Sequence, residues 1–221
     1  VLVGLLHALH EYKGEKVSKK RLAEEATKIQ TEILQQAAGM QDQYIASYGG
    51  MINLRINVKG KVIVTPIDIT DENLNELEEK LVFFYTGVRR SADEVLKDQE
   101  KEVLSDDVKM DSLTQIKEIG FEIKDALESG NLRKFGQYMH LHWKLKTSLS
   151  NKMTNLQINE WYELARSNGA IGGKIIGAGG GGFLMFYVEN NKERLIDVMT
   201  REGLSYLKFG FDYDGTQIIV N

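Results

Sequence analysis

Glycine is concentrated in one short segment of this chain, and that segment limits the local fold more than any other feature. Eight of the 21 glycines lie between Gly169 and Gly182, in the sequence GAIGGKIIGAGGGG. Glycine has no Cβ, so its backbone adopts positive φ values freely and lets another group approach closely. A flexible linker is the usual interpretation of such a run. Here the flanks are a predicted helix ending near Ser167 and the apolar run FLMFYV, which favour a packed loop.

The common glycine-rich nucleotide motifs do not match this segment. A Walker loop requires Lys followed by Ser or Thr after its second glycine, and no such pair occurs here. A dinucleotide fingerprint follows a strand and opens a helix, whereas this segment follows a helix and precedes a strand. The residues alone therefore predict a closely packed loop without naming its ligand.

Composition excludes several classes of function. The chain has 221 residues, of which 42% are hydrophobic and 27% charged, which is typical of one large or two small globular domains. It has no cysteine, which excludes disulfides, thiolate metal sites and cysteine nucleophiles. The net charge of −4 gives no general attraction to nucleic acid or anionic lipid. No apolar run approaches the roughly 20 residues of a membrane span. The sequence therefore predicts a cytoplasmic protein that binds neither nucleic acid nor membrane.

The periodicity of apolar residues predicts an α+β fold with a mostly antiparallel sheet. Ser18 is the predicted N-cap of a helix that ends near Gly39, and residues 51–67 alternate as a hairpin. Residues 68–80 are predicted to be an acidic connector with a weak helical pattern. Amphipathic helices are expected between residues 91 and 168, and another over 190–202. The remaining predicted strands are 81–84, 183–188, 206–209 and 217–220.

A second segment, GMQDQY, contains a candidate catalytic carboxylate. It lies between the first clear helix and the hairpin, with Asp42 flanked by Gln41 and Gln43. A carboxylate can accept a proton or orient a hydroxyl, and neighbouring amides can hydrogen-bond a polyhydroxy substrate. A turn or capping Asp is the alternative that the residues alone leave open.

Together the two segments resemble the GHMP kinase superfamily. GAIGGKIIGAGGGGFL is similar to its third motif, and GMQDQY is similar to the block that holds its catalytic Asp. The sequence FYTG followed by Arg90-Ser91-Ala92, and Trp143 with Lys146, resemble the D-glycero-D-manno-heptose 7-phosphate kinase branch. The resemblance covers nearly the whole chain.

This resemblance implies a two-domain architecture. Residues 1–71 would be the C-terminal part of a ribosomal-protein-S5-like N-terminal domain that carries ATP. Residues 72–221 would be a ferredoxin-like C-terminal domain with extra helices. The glycine- and serine-rich second motif, which wraps the ATP phosphates in the family, does not occur in this sequence. The chain is therefore expected to be the C-terminal part of a kinase and inactive by itself.

The same resemblance implies a reaction and a set of site residues. The reaction is ATP-dependent transfer of the γ-phosphoryl group to a hydroxyl of a sugar phosphate, heptose 7-phosphate, in nucleotide-activated heptose synthesis, with Mg²⁺ as a second cofactor. A fucose or other hexose kinase, and a non-catalytic sugar-phosphate-binding module, are the alternatives, and a homodimer stays open. The implied residues are catalytic Asp42; substrate-binding Gln41, Gln43, Tyr44, Gly87 and Arg90; and, supporting the phosphate loop, Gly177, Ala178, Gly179, Gly180, Gly181 and Gly182.

Candidate metal ligands are few. The family often places an acidic Mg²⁺ ligand upstream of the catalytic Asp, which suggests Glu32, although the register also allows Gln30 or Thr31 at that position. A surface Glu on a helix is the alternative. His140 and His142 are two residues apart and so lie on different sides of a helix, which is poor geometry for one metal ion.

Overall fold

A computed structural model describes residues 1–89 and 91–219, which form two compact units. The first unit comprises Val1–Ile67 together with the segment from Phe211 onward, and the second comprises Asp68–Gly210. The sequence predicts a boundary between residues 71 and 72 and assigns the C-terminal tail to the second domain. The contacts instead divide the chain after Ile67 and group the tail with the first unit.

The first unit contains helices and one hairpin, as the periodicity predicts. Ser18 Oγ accepts a hydrogen bond from the Arg21 amide at 3.2 Å, which confirms the predicted N-cap. Leu22 and Ala26 then point into a small core with Val3. The elements are α1 (Leu2–Tyr12), α2 (Lys19–Lys28), a π-helical turn (Ile29–Ile33), α3 (Gln41–Tyr48), and the antiparallel strands β1 (Ile52–Ile56) and β2 (Val62–Pro66).

The C-terminal segment packs against the end of α3. The Gly50 amide donates to the Asp212 carbonyl at 2.7 Å. Gly49 has a φ of +69°, and a Cβ there would lie 2.3 Å from the Gly215 nitrogen. Both the backbone conformation and the close approach therefore require glycine at the end of α3.

The prediction of a strand over 217–220 is wrong for the described residues, 217–219. Residues 217–219 have no strand conformation, and Val220 lies outside the described residues. The apolar alternation of this segment resembles a strand, but no described strand pairs with it. Ile219 is instead largely exposed.

The second unit is built on a four-stranded antiparallel sheet. Its strands lie in the order β4-β5-β3-β6. In chain order this is a β-α-β-β-α-β arrangement of the ferredoxin-like type, with several helices between β3 and β4. The α+β prediction is confirmed. The elements are α4 (Asp71–Lys80), β3 (Leu81–Tyr85), α5 (Ala92–Leu104), α6 (Asp107–Glu128), α7 (Leu132–Leu149), α8 (Leu156–Ser167), β4 (Ala170–Ile176), β5 (Phe183–Val188), α9 (Lys192–Arg201) and β6 (Ser205–Leu207).

Two segments differ from the prediction. The acidic connector is largely helix α4, which begins where Thr70 Oγ1 accepts from the Asn73 amide at 3.3 Å and buries Leu77. The first half of the glycine-rich segment is strand β4, which pairs with β5 along its length. Gly172 and Gly173 have no side chains, so the alternation that indicates a strand is invisible there.

Helix α7 lies directly on β4. A Cβ at Gly172 would be 1.9 Å from the Gly136 carbonyl oxygen of α7 and 2.8 Å from the His140 nitrogen. A Cβ at Gly136 would in turn be 2.5 Å from a ring carbon of Tyr187 on β5. The two glycines thus let a helix backbone contact a strand backbone without intervening side chains.

One face of the sheet forms the main core of the second unit. Val82 and Phe84 on β3 and Leu184 and Phe186 on β5 have no exposed surface. They pack against apolar residues of the flanking helices, including Trp143, Ile158, Trp161, Tyr162, Leu195 and Met199. Over residues 1–89 and 91–219, no helix combines the length and apolar composition that a membrane crossing requires.

The first unit contains a titratable group whose protonation should control stability. His10 contacts Glu25 at 2.7 Å and Glu15 at 2.8 Å, and these bonds raise its pKa above the ordinary value of 6.5. The bond to His10 also lowers the pKa of Glu25. Between the unfolded and folded pKa values of His10, the folded state binds more protons, so stability falls as pH rises. The contribution of Glu25 is lost in the opposite direction, as pH falls through its lowered pKa.

We therefore expect the free energy of unfolding to decrease as pH rises from about 6.5, the ordinary pKa of His10, through its raised folded-state pKa. In the His10→Gln variant the same pH interval should have a smaller effect. Urea unfolding, followed by a probe of the first unit, measures both slopes. Equal slopes in parent and variant would show that the pH dependence comes from other groups.

Candidate active site

The loop between β4 and β5 consists almost entirely of glycine, and its backbone requires it. Gly177, Gly179, Gly180 and Gly182 have φ values of +94°, +115°, +72° and +92°. These values lie in the region that side chains disfavour. The six residues from Gly177 to Gly182 therefore form the predicted packed loop, which is shorter than the glycine-rich segment as a whole.

Met153 and Lys146 hold one side of this loop. The Gly180 amide donates to the Met153 carbonyl at 2.8 Å. A Cβ at Gly179 would lie 3.0 Å from both the carbonyl oxygen and the sulfur of Met153, so the two backbones are in close contact. Lys146 Nζ donates to the Gly177 carbonyl at 2.9 Å. These bonds fix the position of the loop relative to α7 and to the segment that follows it.

The residues after β3 hold the other side. The Thr86 amide and its hydroxyl both donate to the Gly182 carbonyl at 2.9 Å. The Gly182 amide donates to the Val88 carbonyl at 3.0 Å, and a Cβ at Gly181 would lie 2.6 Å from that oxygen. The FYTG sequence and the glycine loop, recognised separately in the sequence, are thus hydrogen-bonded neighbours.

A cavity of about 750 Å³ opens beside the loop, within the second unit. This size falls within the usual range of small-molecule sites. Apolar and aromatic side chains make up much of its wall, and the rings of Tyr85 and Phe183 lie 5.1 Å apart. Its lining includes Tyr85, Val88, Arg89, Phe183, Tyr206 and the glycine loop.

The basic residue that the structure describes at this cavity is Arg89. The resemblance in the sequence indicates Arg90 instead, which lies outside the described residues. Arg89 Nε donates to the Tyr85 hydroxyl at 3.4 Å, which directs the guanidinium along the cavity wall. Gly87 has a φ of +72° and open space where a Cβ would be, so it serves the turn between Thr86 and Val88.

Asp42 lies in the first unit, in the first turn of α3, and is exposed. The amides of the first helical turn carry partial positive charge, which attracts an acidic side chain or another anion. Met40, the N-cap residue, provides no side-chain hydrogen bond. The predicted catalytic carboxylate is therefore accessible and lies on a regular helix.

The residues next to Asp42 differ in accessibility. Gln41 is exposed, as a substrate contact requires. Gln43 is buried, and its side-chain amide contacts the amide of Gln30 in the π-helical turn. Tyr44 is also buried and stacks on Tyr48, and burial raises its pKa. Gln43 and Tyr44 thus hold α3 in place, whereas Gln41 and Asp42 face outward.

The described residues do not form a magnesium site by themselves. Glu32 is exposed on the π-helical turn. Within the described ranges, no group of three or more His, Asp or Glu side chains is arranged to hold a metal ion. Mg²⁺ usually keeps several waters and binds one or two carboxylates together with substrate phosphates, so Glu32 would be one ligand beside water and phosphate oxygens.

Comparison with known proteins identifies part of the second unit. Residues 123–204 match the family described as GHMP kinases C terminal. These residues form a GHMP kinase C-terminal domain. The matched part of this domain contains α7, α8, β4, the glycine loop, β5 and α9.

The relatives extend the similarity beyond that domain. The D-glycero-alpha-D-manno-heptose 7-phosphate kinase of Campylobacter jejuni is 30% identical over 218 residues, or 98% of this chain and 64% of that protein. A putative sugar kinase structure from the same organism is 28% identical with a TM-score of 0.71, covering 97% of this chain and 61% of that chain. A D-glycero-D-manno-heptose 1-phosphate kinase from Bacteroides thetaiotaomicron shares the fold, with 22% identity, a TM-score of 0.74, and coverage of 99% and 61%. The chain thus spans less than two thirds of the length of these relatives.

Three residues of the second unit contact the glycine loop or line the cavity beside it, and the sequence analysis predicts none of these contacts. Thr86 is part of the FYTG pattern but has no role of its own in the prediction. A hydroxyl residue between a predicted strand and a glycine is the signal that could have indicated its hydrogen bond to the loop. Arg89 lies between the FYTG sequence and Arg90, and neither pattern includes it. Met153 acts through its backbone, and no sequence pattern could have revealed it.

Proposed function

We propose that this chain is part of an ATP-dependent sugar kinase that transfers the γ-phosphoryl group to a hydroxyl of heptose 7-phosphate. The observation that carries the proposal is the similarity to the Campylobacter jejuni enzyme over 98% of the chain. The glycine loop, fixed on both sides by hydrogen bonds, and the exposed carboxylate of Asp42 support it. ATP is the phosphoryl donor expected for a relative of kinases.

The roles proposed for the chain's own residues follow from phosphoryl transfer. This chemistry depends mainly on positioning and on neutralising charge. Asp42 would accept a hydrogen bond from the attacking hydroxyl and orient its oxygen, with Gln41 as a neighbouring contact. The glycine loop would approach the transferred group closely, because it has no side chains. We propose Mg²⁺ as a cofactor because this class of reaction uses it. Glu32 is the ligand proposed for it from this chain.

The proposed domain assignment follows from the same similarity. Residues 1–71 would belong to the N-terminal, ATP-carrying domain of the kinase, and the GHMP kinase C-terminal domain would follow. The tail from Phe211 onward packs with the first unit, so we propose that it completes the N-terminal domain. The alternative is a sugar-phosphate-binding module that transfers nothing.

A substrate panel tests the proposal. The product of the complete reading frame is incubated with ATP and heptose 7-phosphate, fucose or galactose, and ADP release is measured. We expect kcat/KM for heptose 7-phosphate to exceed that for either free sugar at least about a hundredfold, since a site built for a charged group rejects analogues that lack it. A preference for fucose would replace the proposed substrate. Sugar-phosphate binding without ADP release would establish the non-catalytic module.

A further inference from the structure

Three basic side chains meet where α7 lies on β4, at the base of the glycine loop. His142 and Lys146 are one helical turn apart, so they share a face of α7. Lys174 lies on β4, two residues beyond the glycine that contacts the α7 backbone. Residues two apart on a strand share a face, and Gly172 contacts the α7 backbone, so Lys174 lies on the side of β4 that faces α7. The positive charges of Lys146 and Lys174 also act on the His142 ring. We call these three residues the basic cluster.

The basic cluster contains no acid. Among the described residues, no Asp or Glu forms an ion pair with Lys146 or Lys174. Lys146 Nζ donates to the Gly177 carbonyl, which is a neutral acceptor. Within the described part of the chain, Lys174 has neither a hydrogen bond nor a salt bridge. Nδ1 of His142 is buried and likewise has no described partner.

The three residues of the basic cluster are partly buried, so their ammonium and imidazole groups lose part of their hydration. Lysines are rarely buried unless they are paired, because the charged ammonium loses its hydration. Burial, together with the charge of Lys146, lowers the pKa of Lys174 to about 8. Burial first, and then the two lysines, lowers the pKa of His142 to about 3, so the imidazole is neutral at physiological pH. A neutral ring carries one N–H that can donate.

Such a set of donors matches an anion with two charges. Two ammonium groups supply two positive charges and up to six N–H donors, and a neutral imidazole adds one more. A phosphate monoester or hydrogen phosphate is a dianion near neutral pH with several acceptor oxygens, whereas a carboxylate has only one charge. Lys146 also joins this cluster to the first residue of the glycine loop.

We propose that Lys146, Lys174 and His142 form a binding site for a phosphate group at the base of the glycine loop. The site is distinct from the role assigned to Asp42, and it does not depend on the proposed kinase reaction. The phosphate belongs to a phosphorylated sugar, to a nucleotide or to free inorganic phosphate. Binding would neutralise the two ammonium groups and order the junction between α7, β4 and the loop.

Inorganic phosphate is the first probe, measured by titration calorimetry and thermal unfolding against sodium chloride of equal ionic strength. We expect one phosphate to bind per chain and to raise the melting temperature. Lys174→Met keeps the apolar stem and removes the charge, and it should weaken phosphate binding at least about tenfold. Lys144→Met is the matched control, because it removes an exposed charge from the same helix, and it should leave the affinity unchanged.

A second readout separates binding from packing. In chloride buffer the Lys174→Met variant should melt at a higher temperature than the parent, because a partly buried cation without a counter-ion has been removed. A lysine whose charge is already compensated within the folded chain would give the opposite change. The proposal is overturned if phosphate has no effect beyond that of chloride, or if Lys174→Met leaves phosphate binding intact.

Competition then identifies the source of the phosphate. Heptose 7-phosphate and ATP are each added to the phosphate-bound parent. Displacement by the sugar phosphate assigns the site to that class of ligand, and displacement by ATP alone assigns it to the nucleotide. If neither displaces phosphate, free phosphate is the ligand of the site.

Discussion

Replacing Asp42 by Asn should lower kcat for phosphoryl transfer at least about a hundredfold, which is the usual contribution of a positioned acid or base. The amide nearly preserves the shape of the side chain but removes its negative charge. It can no longer hold a hydroxyl proton as a carboxylate does. Because Asp42 is exposed in the first turn of α3, folding should be little affected.

The measurement is ADP release by the product of the complete reading frame, with ATP affinity measured separately. We expect ATP binding to be largely kept, which distinguishes loss of the chemical step from loss of the nucleotide site. Asp107→Asn is the control, because Asp107 is also an exposed Asp in the first turn of a helix, α6. Activity of Asp42→Asn within a few-fold of the parent would remove Asp42 from the reaction.

Replacing Gly172 by Ala should strongly destabilise the second unit. The new Cβ would lie 1.9 Å from the Gly136 carbonyl oxygen and 2.8 Å from the His140 nitrogen. Both are backbone atoms of α7, so no side chain can rotate away, and the helix itself must move off the strand. Overpacking costs about 1–3 kcal/mol and occasionally more. We expect the upper end of that range, with a melting temperature lowered by about 10 °C.

Gly120→Ala is the matched control for this prediction. Gly120 lies on α6, and a Cβ there meets no atom within 4 Å. In a helix the change from Gly to Ala stabilises by about 0.5–1 kcal/mol. Calorimetric melting of the parent and both variants should therefore give shifts of opposite sign. Equal melting temperatures for Gly172→Ala and the parent would mean that α7 does not approach β4 so closely.

Sequence reasoning predicted the parts of the fold that have a strong local signal. The helix after Ser18, the hairpin over 51–67 and the strand at 81–84 were all predicted from capping or periodicity, and the structure confirms them. Strand β4 was missed because two of its central residues are glycines, which show no alternation. Its conformation is set by hydrogen bonds to β5, which the local sequence does not reveal.

The site was predictable only in part. The glycine loop and Asp42 were selected from residue type and from resemblance, and the structure describes the first as a hydrogen-bonded turn and the second as exposed. The buried positions of Gln43 and Tyr44 depend on how α3 packs, which no local pattern encodes. The basic cluster brings together α7 and β4, which are separated along the chain by all of α8. The close approach of α7 to β4 depends on the contact between Gly136 and Gly172, which the local sequence does not reveal.

The grouping of the tail with the first unit has a consequence for biosynthesis. The segment from Phe211 onward belongs to the same compact unit as residues 1–67, so the second unit is an insertion within the first. Domains fold as units while the chain leaves the ribosome, in the usual order from the N-terminus. Here that order is inverted, since the inserted unit is fully synthesised by Gly210 while the earlier one still lacks a segment. The segment from Phe211 onward therefore joins its unit only after the whole second unit has been synthesised.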